Sequence, residues 1–373
     1  MNTKRIETAE HVLPGHPDKL CDAVVDNIVD YVRTVDPLGH CGLEACCVFD
    51  TIHITGRIAY HANTLKDLKN DFYQLVQDTY RTAGYGRDAA GYEWGPSPES
   101  IKISKNLCLG PFERQERGNR HLSDDQAICI GYANNRHDTD GLPPAHWLSR
   151  RIARYLYELR QSKGAGHVGP DGKVITRVEV DGDTWRPIHV SISLNHHDGS
   201  DWLLLREIAE EAVELACEGL TLPALALNTA GSFSAGGPNG DNGLSGKKLV
   251  VDAYGPTIPI GGGAWSGKDF NKVDRLGGLL ARQLAFRSIA EEKASDALVT
   301  LEYVPGCDGP VSIGAIIDGN PIDIDEQKFL AQPFLKNKPV SRRYNRTEFK
   351  LTELARWGHQ TAGVPWEFTW WVS

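Results

Sequence analysis

Apolar residues recur along this chain first at helical spacing and then at strand spacing, and the alternation repeats. After a turn of breakers at Pro14 to Lys19, Leu20, Val24, Ile28 and Tyr31 form one stripe that predicts a helix ending near Asp36-Pro37. Residues 43–49 and 52–60 are apolar and β-branched enough for two strands. Leu65, Leu68, Phe72, Leu75 and Tyr80 then mark a second helix. The same order returns with a helix through Leu148, Ile152, Tyr155 and Leu159, strands at 174–180 and 186–194, and a helix through Leu205, Ile208, Ala212 and Leu215. A third round has a helix through Val273, Leu276, Leu280 and Leu284, strands at 297–304 and 311–317, and a shorter helical stretch near 324–336.

The leading helices start near 18, 146 and 272, so the spacing is almost constant although the copies share little identity. Three α-β-β-α units predict an α/β (α+β) protein of three similar domains in pseudo-threefold arrangement, each sheet covered by helices on one face. The expected boundaries are an N-terminal domain at 3–96, a lid loop at 97–123, a central domain at 124–229 and a C-terminal domain at 230–369. An apolar sheet face left uncovered on each unit predicts a dimer formed sheet against sheet.

Two stretches break the pattern. Residues 84–124 show weak periodicity, and a loop that long in a compact domain is usually a lid or a binding loop. Residues 231–275 are glycine-rich, with eleven glycines in the first 37 positions, as a backbone needs when it must approach a ligand closely. Lys247, Lys248, Lys268, Lys272 and Arg275 are threaded through it, interleaved with Asp241, Asp252, Asp269 and Asp274. Cations and free N–H groups suit a polyphosphate, and carboxylates among them suit its divalent metal. The segment LVVDAY in the middle reads as a strand. Gly262 to Lys268 fits the start of a phosphate-binding P-loop, but Asp269 stands where that motif needs Ser or Thr, and Pro259 breaks the strand that should precede it.

Composition narrows the field. A net charge of -9 argues against broad nucleic-acid binding, so local lysine clusters stand out as anion sites. Eight cysteines without a C-x-x-C pair suggest free thiols in a reducing, cytoplasmic setting. No apolar run approaches a membrane span.

Four blocks in register carry a resemblance: GHPDK followed by LCDAVVDNIVD, DDQAICIGYANN, GGPNGDNGLSGKKLVVDAYG and GGGAWSGKDFNKVDR. With PDGK at 170–173, SLNHHD at 193–198 and GHQTAGVPWEF near the C-terminus, the chain resembles the S-adenosylmethionine synthetases from about residue 7 to 368. The resemblance implies a methionine adenosyltransferase that joins ATP and L-methionine and hydrolyses the released tripolyphosphate to pyrophosphate and phosphate. It further implies two Mg2+ per site, K+, and a homodimer or tetramer whose active sites are shared between subunits. Methionine sulfur attacks without losing a proton, so the site needs alignment and stabilisation of the leaving triphosphate rather than a general base.

By that resemblance, His16 stabilises the leaving triphosphate, with Lys248 and Lys268 as catalytic cations, and Asp18 and Asp274 hold magnesium. Lys173, Lys247, Lys248 and Lys268 contact phosphate or nucleotide, Phe233 stacks on adenine, and Asp171, Ala264 and Asp125 line the nucleotide site. Asp241 and Lys272 contact the amino acid, and Glu44 is the potassium ligand. Arg57 stands where a carboxylate is expected near methionine, Ser232 where an Arg usually precedes the stacking Phe, and Lys247 where an Arg is usual. Asn106 and Gln115 are the candidates for a lid residue touching methionine. Arg57 leaves open an adenosyltransferase on the same scaffold for a different thioether, and a third reading is a non-catalytic regulatory paralogue that binds a partner subunit.

Overall fold

The computed structural model describes residues 4–61 and 68–367. The first third of the chain runs β1 (Arg5–Val12), α1 (Pro17–Val35), β2 (His40–Val48), β3 (Thr51–Tyr60), α2 (Leu68–Ala83), the short strands β4 (Gly86–Arg87) and β5 (Glu93–Trp94), β6 (Lys102–Pro111) and the short helix α3 (Arg114–Gly118). The middle holds β7 (Ala127–Asn134), α4 (Pro144–Gln161), β8 (Val168–Asp181), β9 (Thr184–His196), α5 (Trp202–Ala216) and β10 (Ala224–Leu227). The last part holds β11 (Gly243–Leu244), α6 (Leu249–Asp252), α7 (Val273–Glu292), β12 (Asp296–Tyr303), β13 (Ser312–Ile317), β14 (Asn320–Pro321), α8 (Glu326–Leu330), α9 (Asn337–Tyr344) and α10 (Leu351–Trp357). Among the described residues no helix is long and apolar enough to cross a membrane. Leu65, expected in the second helix, lies outside the described residues.

The helix and strand pairs of each unit form where the periodicity predicts them, and the three-domain α/β architecture follows. The structure adds that the sheets are assembled from distant parts of the chain. The three four-stranded sheets have the orders β1-β8-β9-β10, β11-β2-β3-β6 and β14-β13-β12-β7. The N-terminal strand β1, which the polar opening of the sequence hides, therefore completes the sheet of the central unit, antiparallel to β8 with Arg5 opposite Val180. Likewise β7 closes the C-terminal sheet against β12, and β11 adds two residues of the glycine-rich stretch to the edge of β2.

Two expectations fail locally. The stretch 84–124 was expected to be loop, yet it contains the ten-residue strand β6, parallel to β3 with Thr51 opposite Lys102. Its burial is low because it is an edge strand, and low burial is what erased the alternation. LVVDAY was expected to be a strand, but its first four residues form the helix α6. Tertiary burial overrides β-propensity there, because Val251, Asp252 and Tyr254 all face the interior.

Two apolar cores result. One unites the N- and C-terminal units through Leu20, Val24, Ile54, Val76, Leu276, Leu280 and Val299. The other, around Leu148, Ile152, Val174, Val190 and Ile208, belongs to the central unit and the strand β1 borrowed from the N-terminus. The outward sheet faces keep apolar side chains in water: Ile6 and Ile175 on the first sheet, Val48 on the second, Ile128 and Ile316 on the third. All eight cysteines are free thiols.

Candidate active site

Helix α1 begins with Pro17 just inside its N-terminus and carries Asp18, Asp22, Asp26 and Asp30 at intervals of four, hence on one face. All four side chains are buried, and each takes N–H groups from the C-terminal part of the chain. Asp18 accepts from Leu244 N at 3.0 Å, Asp22 from Gly246 N at 2.7 Å and Asp26 from Gly267 N at 2.8 Å. Asp30 accepts from Leu351 N and Thr352 N, each at 3.0 Å. The glycine-rich stretch is thus laid along α1 and fastened at regular steps. Buried carboxylates are tolerated only when satisfied in this way. Gly267 shows why glycine is required: its φ is +82°, and a Cβ there would lie 2.1 Å from the carbonyl oxygen of Leu43. Sequence reasoning missed the role of this acid row, although the D-x-x-x-D repeat was visible in an otherwise apolar helix.

At the N-terminus of α1 the first group of candidate residues converges. His16 is the N-cap, and its Nδ1 accepts from the backbone N–H of Asp18 at 3.2 Å, so the neutral ring carries its proton on Nε2. Burial, and then the Lys248 ammonium, push its pKa down to about 4 against the pull of Asp18. Burial would raise the Asp18 carboxyl, but the Lys248 hydrogen bond at 2.9 Å and the Leu244 N–H more than offset it and hold it below its ordinary value. Lys247 Nζ lies 3.7 Å from the other oxygen of Asp18. Lys173 and Asp241 are near enough to act on the charge of His16, and Lys173 also meets Glu10 at 3.5 Å. Asp171 is turned inward: it accepts from Gly237 N at 2.7 Å, and burial pushes its pKa up to about 6.

A second group lines a cleft of about 590 Å3, with Gly42, Glu44 and Thr55 on the sheet side and Ala264, Lys268 and Lys272 on the glycine-rich side. Lys268 Nζ meets Asp274 Oδ2 at 2.6 Å, and Lys272 pairs with Asp124. Gly263 lets the loop pass close to Asp274, since a Cβ there would lie 1.9 Å from Asp274 Oδ1. Asp274 also borders an adjoining cleft of about 540 Å3 whose lining includes Asp125.

Phe233 stands apart from both groups and is half-buried. Its backbone is held at both ends, with N–H donated to His196 Nε2 at 3.0 Å and the carbonyl accepting from Asn195 Nδ2 at 2.8 Å. Ser232 beside it is exposed. Arg57 lies on β3 opposite Gly42, and its donors are all engaged: Nε and Nη2 on Glu116 at 3.0 and 2.8 Å, Nη2 on Pro111 O at 3.1 Å, Nη1 on Cys108 O and Ile58 O at 3.2 and 3.4 Å. Asn106 sits on β6 opposite Thr55, and Gln115 is in α3.

Family comparison agrees in every part of the chain. The S-adenosylmethionine synthetase N-terminal domain matches residues 4–106, the central domain of that family 120–233 and its C-terminal domain 235–368. The S-adenosylmethionine synthase of Corynebacterium urealyticum is 32% identical across 98% of this chain and 96% of its own length. That of Pelagibacter ubique is 32% identical across 90% and 86%, and that of Petrotoga mobilis 31% across 87% and 84%. With three domains matched in order and relatives aligned over nearly the full length, the chain belongs to the S-adenosylmethionine synthetase family.

Proposed function

We propose that this protein is a methionine adenosyltransferase, forming S-adenosylmethionine from ATP and L-methionine and hydrolysing the tripolyphosphate to pyrophosphate and phosphate. The observation that carries the reading is the first group: a neutral histidine with its proton on Nε2 at a helix N-terminus, with Lys248 and Lys173 acting on its charge and Lys247 3.7 Å from the neighbouring Asp18. Such a set donates hydrogen bonds and positive potential to an anion. A thioether attacking C5′ of ATP needs that provision, because the developing charge is all on the departing triphosphate.

His16 donates through Nε2 to the oxygen that bridges ribose and triphosphate, where negative charge grows as the C–O bond breaks. Lys247 and Lys248 are held beside it by Asp18, and Lys268 by Asp274, so each ammonium is already oriented before substrate arrives. Among the described residues no three carboxylate, histidine or cysteine side chains are gathered as a protein-only metal cage. Single carboxylates facing lysines fit Mg2+ that completes its shell with phosphate oxygens, and Asp18 and Asp274 would hold it. Two bound Mg2+ would neutralise charge on the leaving group. Glu44, exposed on the cleft wall, is the carboxylate that would hold K+. Phe233 stacks on the adenine.

The subdivision into two groups, with the exposed apolar sheet faces, supports a homodimer in which the His16 group of one subunit faces the Lys268 group of the other. The test is incubation with ATP, Mg2+ and K+, with and without L-methionine, assayed for sulfonium product and phosphate. S-adenosylmethionine formed only with methionine supports the reading. Phosphate release without a sulfonium, or a sulfonium only from another thioether, sinks it. Mixing two inactive variants, His16→Asn and Lys268→Ala, should restore part of the activity if the site is shared.

A further inference from the structure

Between β6 and β7 the chain runs along the end of the second sheet, and three of its side chains, four residues apart and alternating in sign, each meet an opposite charge. Glu116 grips Arg57 with both carboxylate oxygens, at 3.0 and 2.8 Å. Arg120 donates Nη2 to Asp269 Oδ1 at 2.5 Å, and also reaches Leu38 O at 2.8 Å and Gly39 O at 2.7 Å. Asp124 pairs with Lys272. Of the three partners Lys272 lines the cleft, while Arg57 and Asp269 each follow a lining residue in sequence, Gly56 and Lys268.

The first two pairs are built into the framework. Arg57 also binds carbonyls of Cys108 and Pro111, so it fixes the end of β6 as well as α3. Asp269 is 4% exposed and also accepts from Cys41 N at 2.7 Å and Asn271 N at 2.8 Å. Burial would push its carboxyl up, yet Arg120 and then His40 bring it down to about 2. The third pair is different in kind. Lys272 is the N-cap of α7 and its ammonium faces the cleft, whereas Asp124 is an exposed residue on the connecting segment. A cleft-facing cation held by a solvent-facing carboxylate is a place where another carboxylate can exchange.

We propose that residues 112–124 form a strap fastened along the cleft edge by the Arg57–Glu116 and Arg120–Asp269 pairs, and that Asp124 is a placeholder on Lys272 that the substrate carboxylate displaces. The fastening is independent of the reaction; the displacement rests on the reading of Lys272 as an amino-acid contact. On this account Asp124 tunes affinity for the amino acid, and Arg57 serves as a positioning residue that never touches it.

Two measurements on the full-length protein test this. Amide hydrogen exchange over residues 112–123 should quicken about five- to ten-fold in Arg57→Glu and in Glu116→Arg, the size expected for a part-buried bidentate pair. The double reversal Arg57→Glu/Glu116→Arg should return it close to the wild-type rate; a double variant no better than the singles overturns the strap. In kinetics, Asp124→Asn should lower KM for methionine about three- to ten-fold by removing the competitor, with KM for ATP unchanged. The decarboxylated analogue 3-(methylthio)propylamine should show no such gain. A raised methionine KM, or an equal shift for both thioethers, overturns the displacement. If no thioether is turned over, the amino-acid reading falls and the displacement with it, while the exchange data still decide the strap.

Discussion

Asp26 of α1 and Arg275 of α7 meet at 2.6 Å with neither side chain exposed, and this contact joins the first helix of the chain to the helix that follows the glycine-rich stretch. Asp26 also accepts from Gly267 N, and burial pushes its carboxyl up to about 6 even with the guanidinium beside it. Removing one member strands the other in an apolar interior, so Arg275→Met should cost about 3–5 kcal/mol in urea unfolding. The double variant Asp26→Asn/Arg275→Met should lie nearer wild type than Arg275→Met, because its remaining amide is neutral. Additive losses would show that the pair is not coupled.

His16 caps α1, and in the proposed function it also donates to the leaving group; substitution can separate the two. Asparagine keeps an N-cap acceptor for the Asp18 N–H but has no donor where Nε2 stands. His16→Asn should leave the thermal midpoint nearly unchanged and lower kcat by about 10²–10³, the usual cost of one donor to a developing oxyanion. A large fall in thermal midpoint with kcat retained would reverse the assignment.

Gly263 is needed for the approach of Asp274 to the loop, where a Cβ would lie 1.9 Å from Oδ1. Gly263→Ala must displace that carboxylate. The Mg2+ concentration for half-maximal activity should rise roughly ten-fold, the scale typical for disturbing a ligand's support. An unchanged Mg2+ titration would remove Asp274 from the metal site.

Acid should destabilise this fold through its buried histidines. His146 is held to about 3 by burial, then by Arg150 and Arg282, and His11 is lowered by burial and by His146. A depressed histidine is neutral in the fold while the unfolded chain takes up a proton below about pH 6.5, so stability is lost as pH falls from 6.5 toward 3. Asp26 and Asp171, both raised to about 6, act in the opposite sense, their cost being relieved as pH falls through 6. His146 Nδ1 has no hydrogen-bond partner, so His146→Phe forfeits little at neutral pH. The variant should gain on wild type below pH 6.5 by up to about 1.4 kcal/mol per pH unit. Parallel stability curves for the two proteins would refute this.

Much of the fold was legible because helix and strand periods are local. The stripe Leu20, Val24, Ile28 and the alternation in residues 174–180 record which side of an element faces the core, and those elements form where expected. Edge strands left no such record: β1 begins with exposed Arg5 and Ile6, and β6 is largely exposed. The site residues were named through resemblance, and their type fitted the chemistry, but nothing in their spacing told that Asp171 turns inward to Gly237 or that the donors of Arg57 are all taken.

By itself the sequence determined the repeated units and the need for glycine in residues 231–275, since these depend on side-chain type and short-range period. Only the tertiary structure decided which sheet β1, β7 and β11 complete, and that three aspartates of α1 seat the glycine-rich backbone while the fourth, Asp30, holds the start of α10. It alone paired Lys248 with Asp18 and Lys268 with Asp274. Strand pairing and buried charge are settled by which distant groups are brought together to satisfy one another, and a partner more than two hundred residues away leaves no mark on local pattern.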